Sequence, residues 1–168
     1  MEYNYIYKTP DEFDDILITS DEKYLLELKF IQDRNEIDEN ELTKKQITII
    51  KETVKWLDIY FDGEFADFTP KYKIKNLTPF KKEVYDITKN IHYGETLTYG
   101  DIGKIISENR GIEKMSCQAI GQALKNNPII IIIPCHRVLG AKNKITGYNG
   151  GINNKKALLT HEGVEFSE

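Results

Sequence analysis

The chain of 168 residues holds only two cysteines, Cys117 and Cys135, only three histidines and a single tryptophan. Two thiols cannot build a disulfide scaffold, and an unpaired thiol fits a reducing compartment. His92, His136 and His161 are scattered, and no Cys/His spacing matches a zinc site, so no metal is expected. The N-terminus carries no apolar leader segment, and no apolar run is long enough to span a bilayer. The run Ile129 to Ile133 is far too short for that and reads as a buried strand. Internal repeats and low-complexity tracts are absent. These absences predict a soluble, cytoplasmic globular protein, long enough for one domain or two small ones.

Charge is present, but unevenly. Met1 to Pro70 carries 8 Lys/Arg against 18 Asp/Glu, whereas Lys71 to Thr160 carries 15 against 6. A basic segment joined to an acidic one points to an anionic partner for the basic part, nucleic acid being the obvious one. Chance clustering of surface lysines is the competing explanation.

The acidic part reads as strands plus a helix. Tyr3 to Tyr7, Asp15 to Thr19 and Tyr24 to Gln32 are rich in Ile, Leu and Tyr between polar bounds, with Thr19 to Lys23 as a hairpin connection. Asp33 to Leu42 is polar and reads as loop. Ile47, Ile50, Val54, Leu57 and Phe61 recur at helical steps and predict a helix over Thr43 to Phe61, ended by Gly63. Tyr72 to Leu77 is a linker or a last strand.

The basic part is mostly helical. Thr78-Pro79 opens a helix with Phe80, Val84, Ile87 and Ile91 on one face and Gly94 past its end. Thr98 to Asp101 resembles a capping box and starts a helix through Ile102, Ile105 and Ile106, broken at Asn109-Arg110-Gly111. Another helix runs from about Ser116 to Asn126, with Cys117, Ile120 and Leu124 facing inward. Two short helices with a Gly-containing connection fit a helix-turn-helix, although many helical hairpins bind nothing. A glycine-rich loop, Gly140 to Gly151, precedes a last helix over Asn153 to His161.

Chemistry concentrates in Pro134-Cys135-His136-Arg137-Val138. A thiol is a strong nucleophile only as its thiolate, and a nearby base supplies that state. Cys135 is either that nucleophile or a buried structural cysteine. Adjacent residues of a strand face opposite ways, so His136 serves Cys135 only through a chain bend, which Pro134 favours, or through a bridging water. Arg137 is expected to add positive charge that favours thiolate, and Glu162 is a candidate to orient His136. Cys117 reads as core packing. Tyr148-Asn149-Gly150-Gly151 is either a flexible turn or a place where backbone amides approach a flat ligand.

In this order, the elements from about Thr78 to Gly163 resemble the DNA repair alkyltransferases called methylated-DNA–protein-cysteine methyltransferases, or O6-alkylguanine-DNA alkyltransferases. The resemblance rests on Gly94-Glu95, Thr98-Tyr99, Ala119-Ile120-Gly121, Asn126-Asn127-Pro128, Ile133 to Val138, Gly147 to Gly151 and His161-Glu162-Gly163.

It implies an α/β protein: a small ribonuclease H-like strand-plus-helix domain over residues 1–72, then a mostly helical, winged helix-turn-helix-like domain over residues 78–168. It implies a partner, double-stranded DNA containing O6-alkylguanine, from which the damaged base is flipped out. Cys135 would accept the methyl or other alkyl group irreversibly, so that each molecule reacts once. His136 would deprotonate it through a water, Glu162 would hold His136, and Asn127 would brace the loop. Tyr99 would help rotate the nucleotide and protonate the leaving base. The Val138 backbone, Tyr148 and Asn149 would line the guanine pocket. No metal or organic cofactor is implied, and monomer is the default.

One position departs from the pattern. Many members carry an arginine on the second helix of the motif that fills the gap left by the flipped base, and Gln118 stands there, near Ala119 and Gly121. Two other classes stay in view: a cysteine hydrolase or acyl-transfer enzyme using Cys135 and His136, and a DNA-binding regulator with an incidental cysteine.

Overall fold

In the computed structural model, which describes residues 1–43 and 46–168, the chain divides into two units, Met1–Lys75 and Asn76–Glu168. In the first, β1 (Tyr3–Tyr7), β2 (Ile16–Ser20) and β3 (Leu25–Phe30) form an antiparallel sheet in the order β1-β2-β3. Asp21 sets the β2–β3 turn, its carboxylate accepting from the Lys23 and Tyr24 amides at 2.7 and 2.6 Å. The polar stretch read as loop forms two single 3-10 turns, Arg34–Glu36 and Glu39–Glu41, capped by Asp33 and Asp38.

Helix α1 (Thr48–Phe61) lays Ile49, Ile50, Thr53, Leu57 and Tyr60 against the sheet. It starts later than Thr43; Lys44 and Lys45, which the expected helix included, lie outside the described residues. Ile16, Ile18, Leu25, Leu28 and Leu57 have no solvent exposure and form this unit's core. Of Tyr72 to Leu77, read as a linker or a last strand, Tyr72 makes an isolated bridge to Leu25.

The second unit is built on helices. In α2 (Pro79–Lys89), Thr78 caps the Lys81 amide and Pro79 occupies the first turn. The capping box before α3 (Tyr99–Arg110) is complete: Thr98 Oγ1 accepts from the Asp101 amide at 3.0 Å, and Asp101 Oδ2 from the Thr98 amide at 2.8 Å. Gly111 ends α3 in the left-handed region, φ 64°. Helix α4 (Cys117–Lys125) follows, capped by Ser116, and buries Ile120, Ala123 and Leu124. Tyr85 ties α2 to the end of α4 through a 2.7 Å bond to the Ala123 carbonyl. Helix α5 (Ile152–His161) closes the unit.

Two expectations fail. Cys117, read as core packing, is exposed: it opens α4 one residue after the cap, before the apolar stripe begins. Ile129 to Ile133, read as a strand, is instead a single bridge residue, Ile129, followed by tight turns with Ile131 at φ 67°. Its backbone bonds are local, Ile132 N to Ile130 O at 2.7 Å and Ile133 N to Ile129 O at 3.1 Å. An apolar run signals burial, but burial does not require a strand. Here the side chain of Asn127 supplies bonds that a neighbouring strand would have supplied.

Candidate active site

A short parallel pairing assembles the site. Leu97 and Thr98 form β4, Val138 and Leu139 form β5, and the register is Leu97 to Val138 and Thr98 to Leu139. Tyr99 follows β4 directly, and the 3-10 turn Cys135–Arg137 precedes β5 directly. Distant residues thus meet through two adjacent strand ends. The bend expected at Pro134 is present, since Pro134 leads into that 3-10 turn with ψ 63°.

Asn127 holds the turn below the thiol. Its Oδ1 accepts from the Ile129 amide at 2.9 Å, and its Nδ2 donates to the Ile133 carbonyl at 2.9 Å and to Cys135 Sγ at 3.1 Å. One 2 %-exposed side chain therefore closes the isoleucine turn and aims a donor at the sulfur.

Behind the thiol lies a buried charge cluster. His136 Nε2 is 2.7 Å from Glu162 Oε2. Arg137 donates from Nε to Glu162 Oε1 at 2.7 Å, from Nη2 to Oε2 at 3.0 Å, and from Nη1 to the Ile91 carbonyl at 2.7 Å. Burial alone would raise the Glu162 carboxyl, but His136 and Arg137 outweigh it and hold the group well below the usual carboxylate range. Burial pushes the His136 imidazole down, only partly offset by Glu162, so it is neutral at neutral pH. A neutral ring beside a carboxylate donates through Nε2, which makes Nδ1 the basic nitrogen; this buried atom has no hydrogen-bond partner among the described residues.

Arg137 is committed to Glu162 and Ile91, and the cation that acts on the sulfur is Lys155 instead. This corrects the expectation that Arg137 supplies the charge. Lys155 is 1 % exposed and donates to the Val138 carbonyl at 2.8 Å. Burial lowers its ammonium to about 8, opposed by the charge of a Cys135 thiolate. For Cys135 itself burial dominates and raises the thiol, while Asn127, Lys155 and Tyr148 pull it back. The resting group is therefore a thiol that needs a base, not a preformed thiolate.

Cys135 lines a cavity of about 310 Å³, together with Tyr99, Gly121, Leu124, Lys125, Gly147, Tyr148 and Asn149. That is at the lower end of the size of small-molecule sites. Tyr99, Gly121, Tyr148 and Asn149 of the expected site thus share one cavity with the thiol. Asn149 fixes the wall, its Nδ2 donating to the Lys125 and Asn127 carbonyls at 2.7 and 3.2 Å. Val138 has no exposure and is not among the lining residues, its carbonyl being taken by Lys155. Gln118 is exposed on the first turn of α4, with the half-buried Ala119 beside it.

Two residues escaped the sequence reading, Lys155 and Thr146. Lys155 shares the inward face of α5 with Leu158 and Leu159, three and four positions on, and that spacing is the signal that marks it. Thr146 sits in a loop without periodicity, where nothing in the sequence marks it.

Residues 79–164 match the family model described as 6-O-methylguanine DNA methyltransferase, DNA binding domain, and residues 3–73 match the ribonuclease-like domain of the same name. The methylated-DNA–protein-cysteine methyltransferase of Methanosarcina acetivorans is 38% identical over 161 residues, 96% of this chain and 98% of that protein. That of Methanosarcina mazei is 36% identical over 160 residues, 95% of this chain and 96% of that one. The Mycobacterium tuberculosis O6-methylguanine methyltransferase has a similar structure, TM-score 0.76 at 32% identity, covering 96% of this chain and 93% of that one. The Mycobacterium tuberculosis OGT solved in complex with DNA gives a TM-score of 0.73 at 31% identity over 96% of this chain and 92% of that one.

Proposed function

The chain belongs to the 6-O-methylguanine DNA methyltransferase family, the methylated-DNA–protein-cysteine methyltransferases, and from that premise we propose that Cys135 takes an alkyl group from O6 of guanine in duplex DNA, once per molecule. The observation that carries this reading is a thiol lining a cavity, followed in sequence by an imidazole whose Nε2 is anchored on a buried carboxylate.

The chemistry follows from the charges. His136 Nδ1 takes the thiol proton through a water, and Glu162 stabilises the imidazolium that forms. Lys155 and the Asn127 amide stabilise the thiolate. The sulfur attacks the alkyl carbon, the carbon–O6 bond breaks, and the base leaves with the electron pair. Tyr99 gives that base a proton. The thioether has no route back to thiol, so the protein is consumed.

Helices α3 and α4 act as the helix-turn-helix that meets the duplex, with Gln118, Ala119 and Gly121 on the DNA-facing helix. The alkylated base leaves the stack because its reacting carbon is out of reach within it, and it enters the cavity past Tyr99, against Tyr148 and Asn149. The protein acts as a monomer in the cytoplasm, without metal or organic cofactor. Among the described residues no helix is long and apolar enough to cross a membrane.

The test is stoichiometric. With excess duplex containing O6-methylguanine, restored guanine is expected to plateau at one equivalent per protein. Continued release beyond that would identify a turnover enzyme and reject the reading.

A further inference from the structure

Contacts of the Tyr99 hydroxyl lead away from the cavity. It lies 2.9 Å from Thr146 Oγ1, which in turn accepts from Lys155 Nζ at 3.4 Å. A phenol, an alcohol and a buried ammonium are thus linked in a row.

We propose that Thr146 and Lys155 are positioning residues forming a proton line behind Tyr99, so that the proton Tyr99 gives to the leaving base is replaced from the Lys155 ammonium through the Thr146 hydroxyl. This rests on the reading of Tyr99 as donor to the leaving base. The step balances. The sulfur–carbon bond forms, the carbon–O6 bond breaks, and the guanine anion takes the Tyr99 proton on a ring nitrogen. The Tyr99 oxygen takes the Thr146 proton, the Thr146 oxygen takes one from Lys155, and Lys155 ends neutral. The imidazolium at His136 keeps the thiol's proton.

The timing is built into the charges. The groups that act on Lys155 are the Cys135 sulfur and, on the same turn, His136, which is itself held by Glu162 beside Arg137. The neutral contacts are the Val138 carbonyl and Thr146. While Cys135 is a thiolate, its charge favours the ammonium. Alkyl transfer turns that thiolate into a neutral thioether and leaves an imidazolium nearby. The buried ammonium loses its counter-charge at the moment the leaving base needs a proton. An ammonium already lowered to about 8 by burial is suited to release it.

The test is the single-turnover rate of methyl transfer from an O6-methylguanine duplex to Cys135. Thr146→Val, which keeps the shape and removes the hydroxyl, is expected to slow transfer about tenfold, a fraction of a full general-acid contribution. Thr146→Ser should restore most of the rate. In a Tyr99→Phe background Thr146→Val should cost nothing further, because the line has already lost its end. A wild-type rate for Thr146→Val, or losses that multiply with Tyr99→Phe, would overturn the proton line. If Tyr99→Phe alone slows transfer, only the line fails; if the wild-type protein gains no methyl, the function reading fails with it.

Discussion

Glu162 Oε2 lies 2.7 Å from His136 Nε2, and neither side chain reaches solvent. The same carboxylate carries Arg137 on its other edge, so one anion is balanced by a fixed cation and by a ring that can become one. This explains how a base survives in a site that burial would otherwise empty of charge.

Replacing Glu162 by Gln leaves the Arg137 guanidinium buried without its counter-ion. A loss of about 3 kcal/mol is expected in denaturant unfolding, with methyl transfer slowed about a hundredfold as His136 loses its anchor. The pH dependence follows the same pair. Burial holds folded His136 below its ordinary 6.5, so the unfolded chain binds the proton first and stability begins to fall as pH drops below that value. Glu162 is also depressed, so its contribution is fully present above its ordinary 4.5 and is lost as pH falls further. Glu162→Gln should lack the second, steeper part of that decline.

Asn127 is the keystone of the isoleucine turn. Asn127→Ala leaves the Ile129 amide unpaired in the core and takes one of two donors from the Ile133 carbonyl, which keeps the Cys135 amide, a cost of about 2 kcal/mol. Asn127→Asp keeps the accepting oxygen but loses the donor to Ile133 and to the sulfur, and adds a negative charge there. Its Cys135 should react more slowly with iodoacetamide than wild type, followed by the mass of the Cys135 peptide.

Lys155→Met keeps the length of the side chain and removes the cation facing the sulfur. The pH at which Cys135 becomes reactive to iodoacetamide should move upward, since the thiolate loses the positive charge that stabilises it. An unmoved profile would show that Lys155 does not stabilise the thiolate.

Legibility in the sequence tracked local signals. The cap residues Thr78, Thr98 and Asp101 and the periodicity of α1 to α4 are readable because each acts within one or two turns. Cys135, His136, Asn127 and Glu162 stood out as motif residues, and His136 and Glu162 prove to be hydrogen-bonded. The isoleucine turn was misread because a side chain, not a strand, satisfies its backbone. The role expected of Arg137 falls to Lys155, which no sequence signal tied to the sulfur, because which cation faces the sulfur is decided by tertiary packing.

Gln118 is exposed on the first turn of α4, at the position that the resemblance pairs with an arginine. Gln118→Arg should tighten duplex binding or speed repair, because guanidinium stacks and pairs better than an amide. An unchanged rate and affinity would remove Gln118 from the DNA face. Binding of either form should weaken steeply with added salt, as phosphate contacts require.

The most direct measurement of the central claim is the mass of the peptide carrying Cys135 after incubation with duplex DNA containing O6-methylguanine. The account predicts a gain of one methyl group on that peptide, none on the peptide carrying the exposed Cys117, and none anywhere in Cys135→Ala. A methyl group on Cys117, or guanine restored with the Cys135 peptide unchanged in mass, would contradict it.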